Sequence, residues 1–197
     1  MSATRNMRLI GATAALCVMT LAGCDTPSGA SATTAPPTTT AATTGAAHRA
    51  DIKIGRISDQ RLANALVEVQ AKQRRGQRVW CVPFARELSG INLFGNARTW
   101  WNQARGKYAR SNEPEVGAVM SFLPTRKNPN GHVAVVSQKL SERQVRLDHT
   151  NWQRNRVSRG MLAVDVSPAN DWSMVRLESS PGQLGAQYPV QGFILPN

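Results

Sequence analysis

"GHVAVVSQKLSERQVRLDHTNW", residues 131 to 152, consists of two runs of alternating apolar and polar residues on either side of a polar stretch at Ser141 and Glu142. A period of two marks a strand with a buried face, and two such runs joined by a short polar stretch predict an antiparallel hairpin. A turn centred on Ser141 and Glu142 sets His132 opposite Asn151 and Ala134 opposite His149. Directly opposed residues lie about 5 Å apart and diagonal ones roughly 7 to 8 Å. Alternation also puts His149 and Asn151 on the face that carries Val145 and Leu147. The hairpin therefore surrounds the ring of His132 with two polar neighbours able to hold it. For an arbitrary pair of histidines, half-buried polar positions in a sheet are the ordinary explanation.

The same texture continues along the chain. "EVGAVMSFLP" precedes the hairpin, and "MLAVDVS", "SMVRLE" and "VQGFILP" follow it; all are short, rich in β-branched residues and separated by Gly, Pro, Asn or Ser. They predict five to six strands of an antiparallel sheet. The region before Pro114 has helical texture. "ISDQRLANALVEVQAK", from Ile57, carries Leu62, Leu66 and Val69 at helical spacing, with Ser58 or Asp59 available as N-cap. "CVPFARELSG" reads as a second helix, with Pro83 tolerated in the first turn and Gly90 at the C-cap. "GNARTWWNQARG" reads as a third short helix, with Trp100, Trp101 and Ala104 turned inward. Helices first and strands afterwards is the pattern of an α+β domain, with N-terminal helices packed on the sheet. No Gly-rich phosphate loop occurs, which disfavours doubly wound nucleotide-binding folds.

The N-terminal quarter is of a different kind. Residues 1 to 23 combine Arg5 and Arg8 with an apolar stretch from Leu9 to Leu21, the layout of an export signal. Leu21-Ala22-Gly23-Cys24 resembles a lipoprotein cleavage box, in which Cys24 is lipidated and becomes the mature N-terminus. From residue 24 to 49 the chain is almost wholly Thr, Ala, Pro, Ser and Gly, too poor in apolar surface to order itself, and reads as a tether. The folded part is expected at residues 50 to 197, an ordinary length for one domain. The chain is basic, with a formal net charge of +12. For an exported chain that charge favours phospholipid headgroups and cell-wall polymers over nucleic acid, and the arginines are scattered rather than gathered in one aromatic-laced stripe.

Export sharpens the reading of the cysteines. Cys17 leaves with the signal and Cys24 carries the lipid, so Cys81 has no intramolecular partner. An inert buried thiol is the usual state of a single cysteine. A nucleophile needs a lowered pKa and a base within hydrogen-bonding distance. The start of the second helix offers the first through its partial positive charge, and the hairpin histidines offer the second. Zinc on Cys81, His132 and His149 is the competing arrangement, but the chain lacks a second nearby Cys and any CxxC or HExxH spacing. No metal and no other cofactor is expected.

"WCVPFARELSGINLFGNARTWWNQARG", then "EVGAVMSF", "GHVAVV" and "DHTNW", in this order, resemble the CHAP family, the cysteine- and histidine-dependent amidohydrolases/peptidases of the NlpC-like, papain-fold group. The later blocks "DWSMVRL" and "YPVQGFI" fit the closing strands of that family. The resemblance implies Cys81 as nucleophile, His132 as general base, and His149 as the orienting residue, with Asn151 in a supporting position; the hairpin count instead favours Asn151 as the direct neighbour. Parts of the family carry an acidic residue where His149 stands, and the wider group also uses His. The activity implied is hydrolysis of an amide bond in peptidoglycan peptide stems through a cysteine thioester, with the Cys81 main-chain N–H as one oxyanion donor and Gln77 as a candidate second. A silent wall-binding or scaffolding module of the same fold and an amidase acting on a small soluble amide are the alternatives. The expected location is the bacterial cell envelope, with the protein lipid-anchored to a membrane and facing the periplasm.

Overall fold

The computed structural model describes residues 57–197. The expected leader, Cys24, the whole tether to residue 49 and residues 50–56 of the expected domain lie outside the described residues. Helix α1, Asp59–Arg74, starts where the Ser58 hydroxyl accepts from the Arg61 N–H, and it buries Ala65 and Val69. Its neighbours Leu62 and Leu66 are half-buried against the same core. Helix α2, Cys81–Ser89, follows the extended Trp80 and is closed by Gly90, whose φ of 77° suits a residue without a Cβ. The expected third helix divides into a 3₁₀ turn, Ala97–Thr99, and the single-turn α3, Trp100–Gln103. Trp100 is fully buried, whereas Trp101 is half-buried.

The strands are β1, Arg110–Ser111; β2, Val119–Phe122; β3, His132–Ser141; β4, Gln144–Thr150; β5, Val157–Asp165; β6, Met174–Ser180; and β7, Gln183–Ile194. All ladders are antiparallel, in the order β1-β7-β2-β3-β4-β5-β6 with a further β6–β7 pairing. Six strands thus close into a barrel, and β1 joins alongside the end of β7. The sheet is antiparallel as expected, but it has seven strands rather than five to six, and its closure into a barrel was not part of the expectation. Each of the six expected runs holds a strand, but β7 begins seven residues before "VQGFILP", in the polar "QLGAQYP". That early half makes a hairpin with β6 across Pro181 and Gly182, while the later half pairs with β2. A strand whose two halves serve two neighbours closes the sheet without an alternating signature of its own.

Alternation on β2 and β3 divides two cores. Val119, Val133 and Val135 meet the helices, with Phe84, Leu88 and Trp100. Met120, Phe122, Ala134 and Val136 line the barrel interior with Val145, Leu147, Leu177 and Phe193. Burial on both faces explains why residues 132–136 are buried without a break. The β3–β4 register has the expected offset at its inner end, with Val135 opposite Asp148 and Val136 opposite Leu147, and slips twice nearer the turn. By parity His132 and His149 belong to the barrel-interior face, at the end that opens toward the N-terminus of α2.

Candidate active site

Cys81 is the first residue of α2 and is half-buried. In the first turn of a helix the N–H groups have no intrahelical acceptor, and Pro83 contributes none. The Cys81 thiol lies within reach of the main-chain N–H groups of Val133, Cys81 and Val82. Burial pushes the thiol up from its ordinary value, and these three contacts oppose it without prevailing. The expectation that the helix start lowers this pKa is therefore corrected. The main-chain donors act in the expected direction, but loss of water at the sulfur outweighs them.

The contact with Val133 brings Cys81 beside the first residue of β3, His132. Just before His132, Gly131 lets the backbone at Arg98 and the β2 carbonyl of Phe122 pack closely: its φ is +69°, and a Cβ there would stand 3.0 Å from the Arg98 nitrogen and 3.1 Å from the Phe122 oxygen. His132 and His149 are both buried, and their Nε2 and Nδ1 atoms lie 2.8 Å apart. The Nε2 of His149 is 3.3 Å from the Met161 sulfur. A thioether has no proton to give, so the Nε2 of His149 carries the hydrogen and its Nδ1 is left as acceptor. The Nδ1 of His149 then accepts from the Nε2–H of His132. This leaves the Nδ1 of His132 unprotonated and available to take a proton.

Aromatic rings enclose the pair. Trp152 packs 5.0 Å from the His132 ring and 5.7 Å from the His149 ring, and Phe122 lies 5.7 Å from His132. Tyr188 backs Trp152 at 4.7 Å. Burial lowers the His132 pKa well below its ordinary value, and His149 adds to this; burial alone takes His149 to about 3. Both rings are neutral at pH 7, in keeping with the hydrogen-bond chain.

Asn151 does not stand across from His132. The chain leaves β4 after Thr150, and Asn151 adopts φ 61°, a left-handed conformation that Asn tolerates better than most residues. Its Oδ1 accepts from the Asn155 N–H at 2.9 Å and from the Arg78 Nε at 3.4 Å. Asn155 in turn accepts from the Val79 N–H at 2.9 Å, tying the loop after β4 to the segment that leads into Cys81. The neighbour that reaches His132 is His149.

Sequence reasoning missed Met161, Trp152, Phe122 and the Asn155–Val79 tie. Trp152 had a signal, since it ends the "DHTNW" block. Met161 had none: a register shift in the β4–β5 ladder, between Leu147 and His149, brings it to the imidazole. Asp148 holds that irregularity by accepting from the Gly160 N–H at 2.7 Å and from the Arg159 Nε at 3.2 Å. Gln77, the candidate second oxyanion donor, is exposed and does not line the cleft. Among the described residues no cluster of three or more His, Cys, Asp or Glu side chains is placed to hold a metal ion.

Cys81, His132, Asn151 and Trp152 line one cleft of about 1000 Å³, large enough for a segment of peptide. Residues 72–151 match the CHAP domain. The matched segment runs from the end of α1 to the residue after β4, and it contains Cys81, His132, His149 and Asn151. CHAP domains are typically cysteine- and histidine-dependent amidohydrolases, and the domain generally indicates peptidoglycan amidase or peptidase function. No curated protein matches the chain.

Proposed function

We propose that this protein is a cell-wall hydrolase that opens an amide bond of peptidoglycan, as an amidase or an endopeptidase, with Cys81 as nucleophile, His132 as general base and His149 as the residue that orients it. The observation that carries the reading is the Cys81 thiol against the Val133 N–H, beside a neutral His132 whose Nε2 is engaged by His149. Both reactive groups are neutral at rest, so the proton leaves the thiol as attack proceeds. Nδ1 of His132 takes it, the sulfur adds to the amide carbonyl, and the oxyanion meets main-chain N–H groups at the start of α2. The proton then passes to the departing amine, and water hydrolyses the thioester with His132 again as base.

The CHAP match supports wall peptide stems as the substrate class. The leader at residues 1–23, lipid on Cys24 and the tether to residue 49 complete the proposal, with the catalytic domain at residues 50–197 held at a membrane of the bacterial envelope and facing the periplasm. A flexible tether of that length has a reach of about 25 to 30 Å, which favours wall material close to the membrane. Purified sacculi analysed by mass spectrometry before and after digestion test the reading. New amine and carboxyl ends made by the native chain and not by Cys81→Ala are expected; their absence overturns it.

A further inference from the structure

The rim of the cleft carries a feature that the hydrolytic chemistry does not use. Arg78 lies three residues before Cys81, with its guanidinium carbon 4.3 Å over the Trp80 ring. Its Nε donates to the Asn151 Oδ1 at 3.4 Å, and Asn151 is itself held by the turn to Asn155. Stacking occupies one face of the guanidinium and Asn151 occupies Nε. The two terminal amino groups keep their hydrogens for another partner. Arg110 is stacked in a similar way, 4.7 Å over Trp101, but it donates Nη1 to the Trp101 main-chain oxygen at 3.2 Å. Among the described residues Arg78 has no such main-chain acceptor.

Charge around the cleft is one-sided. Arg78, Arg126 and Lys127 line it, and among the described residues no Asp or Glu does. Arg126 and Lys127 form the tip of a two-residue turn closed by Thr125 and Asn128, which bond to each other at 3.1 Å in both directions. Among the described residues none of the three cations takes part in an ion pair. A planar guanidinium, already ordered and with its outer edge free, matches the two oxygens of a carboxylate, and because Arg78 and Trp80 are both exposed the attraction is open to screening by salt.

We infer that Arg78, positioned by Trp80 and Asn151, binds a carboxylate of the substrate, with Arg126 and Lys127 adding a general preference for negative charge, so that the cleft selects peptides bearing a free carboxylate near the bond presented to Cys81. This rests on the reading of Cys81 as the nucleophile and adds the chemical class of what it attacks. Amidation of that carboxylate removes the charge and one acceptor oxygen, and a chain so modified is a poor ligand.

The test uses the full chain with Cys81→Ala, which binds without turnover, and follows the fluorescence of the cleft tryptophans. Two pairs of probes are titrated. One is a stem tetrapeptide, L-Ala-γ-D-Glu-diaminopimelate-D-Ala, with carboxylates free or amidated; the other is Ac-Ala-Glu-Ala-amide against Ac-Ala-Gln-Ala-amide. In at least one pair the free acid is expected to bind about tenfold tighter, a preference that falls with added salt. Arg78→Gln reduces it to within about twofold, and Arg78→Lys restores only part of it. Equal affinity within both pairs, no saturable binding of any acid, or a preference that survives Arg78→Gln overturns the inference. Digestion of sacculi by the native chain scores the reaction separately. Carboxylate preference without cleavage keeps this site and discards wall hydrolysis, and cleavage without preference does the reverse.

Discussion

On the helix side of the cleft Cys81 is half-buried and met by main-chain N–H groups, whereas on the barrel side His132 and His149 are fully enclosed, with each other, Trp152 and Met161 as neighbours. The helix side offers fixed dipoles to a negative charge that has yet to form. The barrel side offers a dry wall that keeps two imidazoles uncharged. Burial opposes the ionised form on both sides: it raises the thiol and lowers the imidazoles. The difference teaches that reactivity here is not stored as a resting thiolate–imidazolium pair. In the proposed reaction it arises when a substrate oxygen takes up the charge at the start of α2.

The strongest way to break this picture is to remove each side in turn. Cys81→Ala and His132→Ala are each expected to lower kcat by about 10⁴-fold, and the double variant to be no worse than either alone, because the two groups act as one unit. Release of amines from peptidoglycan measures this, with circular dichroism as the check on folding. Additive losses would show two independent contributions and would separate the two sides of the cleft.

A smaller effect distinguishes the two residues that compete for the orienting role. His149→Ala is expected to lower kcat by about 10²-fold, since the His132 ring loses the acceptor at its Nε2. Asn151→Gly keeps the left-handed backbone and is expected to cost less than about tenfold, mainly in KM, because its side chain reaches Arg78 rather than His132. If Asn151→Gly instead matched His149→Ala in kcat, the assignment of partners would be reversed.

The pH dependence sharpens the contrast. In the unfolded chain both histidines protonate near 6.5, whereas in the fold His149 stays neutral down to about 3 and His132 also protonates well below 6.5. The unfolded state therefore binds more protons in that window, and stability falls as pH drops from about 6.5 toward 3. Urea denaturation at a series of pH values checks the direction, and His149→Phe should flatten the slope. Alkylation of Cys81 by iodoacetamide should accelerate with pH to a midpoint above that of an ordinary cysteine thiol, with no plateau in the acid range. An early plateau would reveal a resting ion pair.

Legibility in the sequence followed the range of the interactions. The inner register of β3 and β4 was readable because it depends on alternation within one hairpin, and the start of α2 because Pro83 and Gly90 mark its ends. Closure of the barrel was not, since β7 runs through "QLGAQYP", where only pairing with β6 gives the chain a reason to be extended. The tie from Val79 to Asn155 spans 76 residues and leaves no local trace. The direction of the Cys81 shift was misread for a related reason. The helix start is visible in the chain, whereas the desolvation that outweighs it comes from packing against β3.

Met161 offers the finest test, because its part is to select a tautomer rather than to touch substrate. Met161→Leu keeps volume and apolar character, so the fold should lose less than about 1.5 kcal/mol. It removes the acceptor for the Nε2–H of His149. With no partner favouring that tautomer, part of the population shifts the hydrogen to Nδ1, where it points at His132 and forces the His132 proton onto the nitrogen meant to act as base. The expected loss in kcat is about three- to tenfold at constant KM. Nitrogen-15 spectra of the imidazoles should show mixed tautomers in the variant and one in the native chain. Met161→Gln, whose side-chain oxygen again accepts, should recover both the rate and the single tautomer. Recovery of rate by Leu alone, or unchanged spectra, would leave Met161 as packing and place the choice of base nitrogen on the ring pair itself.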